Sequence, residues 1–252
     1  MQTLKLQITL FCLGTLACWS CTSHEKAKVT IASAANMQFA IADITKAFES
    51  KTGISTELTV SSSGKLTAQI KAGAPFDIFV SADMKYPMQL FEEGMAREKP
   101  KVYAAGKLVL WSLKEDVETD LAHIKPEHFQ HLALANPKTA PYGRAAMETL
   151  EHYGLLTAFK GKLVFGESIS QTNQFIISGA AEAGFTAKSV VLSKEMKGKG
   201  HWTEIDPAVY RKIEQGVLLL DSSQQEAKQF YRFLFSEQAR EILKNYGYLV
   251  YE

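Results

Sequence analysis

Cysteine is almost missing from this chain, and its placement is informative. The three cysteines, Cys12, Cys18 and Cys21, all fall in the first 21 residues. The rest of the sequence therefore has neither a disulfide framework nor a thiolate metal site. Excess charge is lacking as well. With 28 basic and 27 acidic residues the formal net charge is +1, which leaves no electrostatic footprint for nucleic acid. No low-complexity tract is present, and nothing in the composition demands an acidic or basic macromolecular partner. Long apolar runs are also missing. "MQTLKLQITLFCLGTLACWSC" comes closest, but its apolar part is too short to span a bilayer comfortably.

That opening segment, residues 1–21, reads as an export signal and is excluded from the fold. A small residue before a cysteine at the end of such a signal points to bacterial lipoprotein processing. Ser20-Cys21, followed by polar "TSHEK", is one candidate and Ala17-Cys18 the other. Neither cysteine has the leucine three residues earlier that the usual processing site shows. Cys21 is favoured because a polar tether, residues 22–28, starts directly after it. Ordinary secretion with incidental cysteines is the remaining option.

From Val29 the pattern alternates between β and α. "VTIASAA" is a strand, and Met37, Ile41, Ile44 and Phe48 then recur at helical spacing up to a stop at Gly53. "TELTV", a helix from Ser63 to Ala72, "FDIFVSA" and a short helix "PMQLFEEGM" follow. Strands alternating with helices predict an α/β protein with mostly parallel sheets flanked by helices. "KVYAAGKLVLWSL" is an extended run long enough to cross between domains, and "QGVLLLD" can cross back. Between them lie strand "LALAN", a helix from Tyr142 to Tyr153, strand "KLVFG", a helix from about Ile169, strand "AGFTA" and helix "KSVVLSKEM". "SQQEAKQFYRFLFSEQAREILKNYG" reads as one amphipathic helix with Ala227, Phe230, Leu234, Ile242 and Leu243 inward. The expected division is lobe I over 29–107, lobe II over 108–215, and a return to lobe I over 216–252.

"SSSGK" at 61–65 raises the question of a nucleotide phosphate loop. That loop needs a glycine five residues before Gly64 and a Ser/Thr after the lysine, but Thr59 and Leu66 stand there. The nucleotide reading fails. What remains is the older physics of a helix start, which presents unpartnered N–H groups and a partial positive charge to an anion. A serine in that place is ordinarily only a cap. The pattern recurs, however: Asn36 caps the helix after the first strand, Pro141-Tyr142-Gly143 opens another, and Ile169-Ser170 a fourth. Two starts fall in each lobe, all at strand carboxyl ends, where open α/β sheets bind ligands.

"IASAANM", "SSSGKLTAQIKAGAPFDIFVSAD", "YAAGKLVLWS", "ANPKTAPYG" and "ILKNYGY" together make the chain resemble the periplasmic molybdate-binding proteins of ABC uptake systems, across nearly the whole mature length. The resemblance implies a type II periplasmic-binding-protein fold, with each lobe a mixed, mostly parallel sheet flanked by helices and the oxyanion in the interlobe cleft. It implies a monomeric, extracytoplasmic binding component, periplasmic or lipid-anchored at the cell surface, that is not an enzyme and needs no cofactor. Its partners would be an ABC permease and molybdate or tungstate. By position the ligand residues would be Ala35, Asn36, Ser63, Tyr142 and Ile169. Asn36 falls where some members have Ser and others Asn. Tyr142 falls where one subgroup has Ala and another Tyr; members with Ala there carry a Tyr at the position of Ala187.

The chemistry suits that set. Molybdate and tungstate are tetrahedral dianions that carry no proton near neutral pH, so donors are wanted all round. Phosphate carries a proton there and needs an acceptor; sulfate has shorter bonds and must be rejected by size. Lys65 and Arg144 lie just inside their helices, where their side chains can point into water, so the expected cradle is neutral. Rival readings are a sulfate or other oxyanion binder and, in a different class, a hydrolase acting on oxyanion esters. Asp77 with Asp83 is the candidate acid–base pair, and His123, His128 and His131 the candidate metal cluster. No Gly-x-Ser-x-Gly or His-Glu-x-x-His motif supports either.

Overall fold

The computed structural model describes residues 28–221 and 224–251. The export segment and both candidate lipidation cysteines, Cys18 and Cys21, lie outside the described residues.

Two five-stranded mixed sheets form the frame. The first is ordered β2-β1-β3-β10-β4, with β1 at Lys28–Ala34, β2 at Ser55–Ser61, β3 at Ile78–Val80, β4 at Lys101–Gly106 and β10 at Ile213–Leu219. β1 is parallel to β2 and β3, while β10 runs antiparallel to both β3 and β4. The second is ordered β7-β6-β8-β5-β9, with β5 at Leu108–Ser112, β6 at Leu132–Ala135, β7 at Leu163–Gly166, β8 at Ala183–Ala187 and β9 at His201–Glu204. There β6 is parallel to β7 and β8, and β5 runs antiparallel to β8 and β9. Each sheet thus has one reversed strand, fourth in order, among others that share a direction. The expected mixed, mostly parallel character is what the pairing shows.

The reversed strands are where the chain changes sheets. β4 ends at Gly106 in the first sheet, and β5 starts at Leu108 in the second. The single extended run read from the sequence is therefore two strands split at Lys107. β10 then rejoins the first sheet from Ile213, opposite Gly106.

Strand alternation sends successive side chains to opposite faces, and the cores follow it. Val29 and Ile31 of β1 pack with Met37 and with Ile41, Ile44 and Phe48 of the first long helix, α1 (Gln38–Thr52). Ala32 faces the other way, against Leu66 and Ile70 of α2 (Ser63–Lys71) and Leu90 of α3 (Lys85–Glu92). In the second sheet Leu108 and Leu110 face α4 (Pro141–His152), whereas Val109 and Trp111 join Ile176 of α5 (Ile169–Ile177). Helices on both faces explain why these strands read as nearly continuous apolar runs.

Two helical segments differ from the sequence reading, and β9 has no counterpart in it. "KSVVLSKEM" is helical only as the short α6 (Lys188–Val191). The C-terminal segment forms α7 (Gln225–Phe233) and α8 (Glu237–Asn245), not one helix. The break has a local cause: Ser236 sits at the start of α8 with extended backbone, and its hydroxyl accepts from the Ala239 N–H at 3.3 Å. The turn lets both helices keep apolar faces on one core. Phe230 and Phe233 of α7 contact Phe48 with ring centroids 5.2 and 5.5 Å apart.

If that cap holds the break, Ser236→Ala should cost about 1 kcal/mol of unfolding free energy and Ser236→Gly only a few tenths. Urea denaturation of the three proteins measures it. Equal midpoints for wild type and Ser236→Ala would show the cap to be idle.

Candidate functional site

The carboxyl ends of β1, β2 and β3 meet those of β6 and β7 across the seam between the sheets, and the helix starts converge there. A small cavity is lined by Ala34, Ala35, Asn36, Ser62, Ser63, Ala82, Ala140, Pro141, Tyr142 and Ile169. All five residues expected from the sequence, Ala35, Asn36, Ser63, Tyr142 and Ile169, are brought together. None carries a charge.

Each arrives by its own local structure. Ala35–Met37 is a single 3-10 turn between β1 and α1, so Asn36 sits within that turn and makes no side-chain cap. α4 starts with Pro141, which fits the first helical position because its missing N–H would have no partner there anyway. Tyr142 follows, its side chain buried in the seam. Ile169 is the first residue of α5, with Ser168 as the cap. At α2 the capping position belongs to Ser62, and Ser63 is the first helical residue. The Ser63 hydroxyl accepts from the Ala82 N–H at 3.0 Å, so its own proton remains to be donated.

Ser62 is the residue the sequence reading missed. A capping serine normally accepts from an N–H two or three residues on. Ser62 makes no such bond, and its Oγ is buried without a partner. Three described side-chain atoms share that condition, and two of them, Ser62 Oγ and Asn36 Oδ1, belong to residues lining this cavity. A buried polar atom left unpaired costs about 1–3 kcal/mol, so the cavity is built for a polar occupant. "SSS" carried the signal, but a run of three hydroxyls does not say which serine caps.

Behind the cavity lies a polar network that only tertiary contacts reveal. Asn36 Nδ2 donates to Gln215 Oε1 at 2.9 Å and to Tyr248 Oη at 3.0 Å. The Asn36 carbonyl accepts from Tyr248 at 3.0 Å and from Ser189 of α6 at 2.8 Å. Tyr103 donates to Gln215 at 3.2 Å. Burial pushes the phenols of Tyr103, Tyr142 and Tyr248 up from their ordinary value, so all three remain protonated donors across the physiological range.

The seam is held shut around this cavity. The Gly64 N–H donates to the Thr139 carbonyl of the second lobe at 2.9 Å, and Tyr86 donates to the Lys138 carbonyl at 3.1 Å. A Cβ on Gly64 would lie 2.8 Å from Tyr86 Oη and 3.0 Å from Thr139. Gly64 thus serves close approach of the opposite lobe. Lys65 pairs with Glu167 and Arg144 with Asp83, each across the seam. Lys65 stays exposed, in line with the expectation, whereas Arg144 is held against Asp83 away from open water, which corrects the expectation for Arg144 alone. The Lys65 pair is exposed, but the Arg144–Asp83 pair is largely enclosed. Burial raises the Asp83 carboxyl above its ordinary value; Arg144 and bonds from Tyr86 and Ser81 pull the other way.

The rival constellations do not assemble. Asp77 accepts from the Thr30 N–H and hydroxyl, both at 2.8 Å, in a network separate from the Asp83 ion pair. His123 pairs with Asp120, and among the described residues no group of His, Cys, Asp and Glu is placed to hold a metal ion.

The chain is 38% identical over 239 residues to the molybdate-binding protein ModA of Azotobacter vinelandii, covering 93% of each. It is 38% identical over 225 residues to ModA of Rhodobacter capsulatus, covering 88% of each. The solved structure of the Azotobacter vinelandii periplasmic molybdate-binding protein superposes with a TM-score of 0.82 at 32% identity, covering 89% of this chain and all of that one. Residues 29–249 match the family described as bacterial extracellular solute-binding protein, and the chain belongs to that family.

Proposed function

We propose that this protein is the extracytoplasmic binding component of an ABC uptake system and that its ligand is molybdate, with tungstate an equivalent guest. The observation that carries the reading is the cavity itself. It joins four helix starts from two lobes, offers hydroxyl and backbone donors, and has no charged lining residue.

A tetrahedral dianion without protons accepts at every oxygen. The N–H groups at the starts of α2, α4 and α5 have no intrahelical acceptors, and the Ser63 and Tyr142 hydroxyls add protons from opposite lobes. Hydrogen bonds to a charged partner contribute about 1.5–3 kcal/mol each. Several of them, less desolvation and closure, suffice for tight binding. Hydrogen phosphate would force its own proton against donors. The relatives that carry "molybdate-binding" in their names support the same ligand. Binding rather than ester hydrolysis is supported by relatives that are named as molybdate-binding proteins.

On this reading a permease receives the closed, loaded protein, which acts as a monomer. A lipid on Cys21, or on Cys18, would tether it to the membrane; because one acyl chain anchors only marginally, a multiply acylated cysteine is implied. Intact-mass measurement on detergent-extracted protein should show that modification. An unmodified chain starting after Cys21 would refute the tether.

Ser63→Ala and Tyr142→Phe should each weaken molybdate binding by about 1–3 kcal/mol, the cost of leaving a charged oxygen short of a donor. Titration calorimetry reads this directly, and unchanged affinity in both variants would remove the cavity from consideration. The two ion pairs should separate in the same assay. Lys65→Gln removes an exposed pair and should cost under about 1 kcal/mol. Arg144→Gln strands a largely enclosed carboxylate whenever the lobes close, so about 1–3 kcal/mol of affinity should be lost. Equal effects would show that burial of the Asp83 pair does not bear on closure.

A further inference from the structure

Gln215 is a polar side chain in an apolar strand, and it is fully buried. Burying an amide is costly unless its groups are all bonded, so its partners define its purpose. The pairing of β10 with β4 is irregular between Gln215 and Gly216. A bulge of that kind bends the strand and re-aims a side chain; here the amide reaches the seam just behind the cavity. Its Oε1 is occupied by two donors, Asn36 Nδ2 at 2.9 Å and Tyr103 Oη at 3.2 Å. That leaves Nε2 to face Tyr142 Oη, at a long 3.5 Å. Space for this meeting is kept by Gly106. A Cβ there would lie 2.0 Å from Tyr142 Oη and 2.7 Å from Gln215 Nε2.

We propose that Gln215 is the positioning residue that sets the polarity of the site: by donating to Tyr142 and accepting from Asn36, it makes the Tyr142 hydroxyl a donor toward the ligand. A phenol oxygen that accepts from an amide N–H has its own proton to spare. Were the amide reversed, Oε1 would take that proton, and the cavity would face a phenol oxygen with only lone pairs. One side chain on the strand that returns from lobe II thus orients groups from both lobes, Asn36 and Tyr142. It selects for an oxyanion that carries no proton. This rests on the proposed oxyanion-binding role of the cavity.

The test is a double-mutant cycle read by calorimetry with molybdate: wild type, Gln215→Met, Tyr142→Phe and the double variant, with thermal unfolding to confirm that each folds. Gln215→Met should weaken binding about tenfold, the scale of one hydrogen bond to a charged system. The factor should be clearly smaller in the Tyr142→Phe background, because the proton that Gln215 directs is already gone. The same factor in both backgrounds, or no weakening by Gln215→Met, would overturn the proposal. If Gln215→Met does not fold, Gln215→Leu takes its place in the cycle. It likewise removes the donor without adding a charge, so it should weaken binding about tenfold alone and by a smaller factor with Tyr142→Phe. Failure of the wild-type protein to bind molybdate would refute the ligand assignment itself, a different outcome from additivity in a protein that binds.

Discussion

Everything in this molecule is arranged around backbone N–H groups that their own helices cannot satisfy. A helix start has donors without acceptors and a partial positive charge. One such start holds an anion weakly. The fold brings starts from two separate sheets to one small cavity, and that requires parallel strands whose carboxyl ends face each other. The shared layout of the two sheets provides this, since each places its central strand ends at the seam and gives its fourth position to the strand that connects the lobes. An apolar cluster runs across the same seam, including Ala34, Ala35 and Ala82 from the first lobe with Tyr142 and Ile169 from the second. The donors therefore work in dry surroundings, where each bond to a charged oxygen counts for more.

Charge is kept at a distance by the same logic. Cationic side chains near the site are committed to carboxylates of the opposite lobe, Lys65 to Glu167 and Arg144 to Asp83. They hold the lobes together without entering the cavity. A positive group inside would attract any anion, whatever its protonation state. On the proposed reading, neutral donors whose direction is set by a buried network would discriminate by whether the ligand has a proton of its own.

Much of this was legible in the sequence because it depends on local periodicity. The strand ends and the helix starts after them follow from apolar spacing and start signals. The set Ala35, Asn36, Ser63, Tyr142 and Ile169 is instead what the resemblance to the molybdate-binding family implies. Other features were illegible for physical reasons. Ser236 is a start signal embedded in a continuous amphipathic pattern, so the periodicity masks the break between α7 and α8. β9 is a short edge strand of partly exposed residues with no strong alternation. The roles of Gln215 and Tyr248 depend on contacts with residues far away in the chain, as do the ion pairs of Lys65 and Arg144. An arginine just inside a helix, such as Arg144, looks solvated until the opposite lobe is in place.

The central claim is that the two lobes hold the ligand jointly, so that neither satisfies all its oxygens alone. A ligand shifts a conformational equilibrium only by its differential contacts with the two states, and these contacts are complete only when the seam is closed. Small-angle X-ray scattering of the purified protein with and without saturating molybdate tests this most directly. The account predicts a smaller radius of gyration with molybdate and no change with phosphate. Tight molybdate binding with an unchanged scattering profile would contradict it.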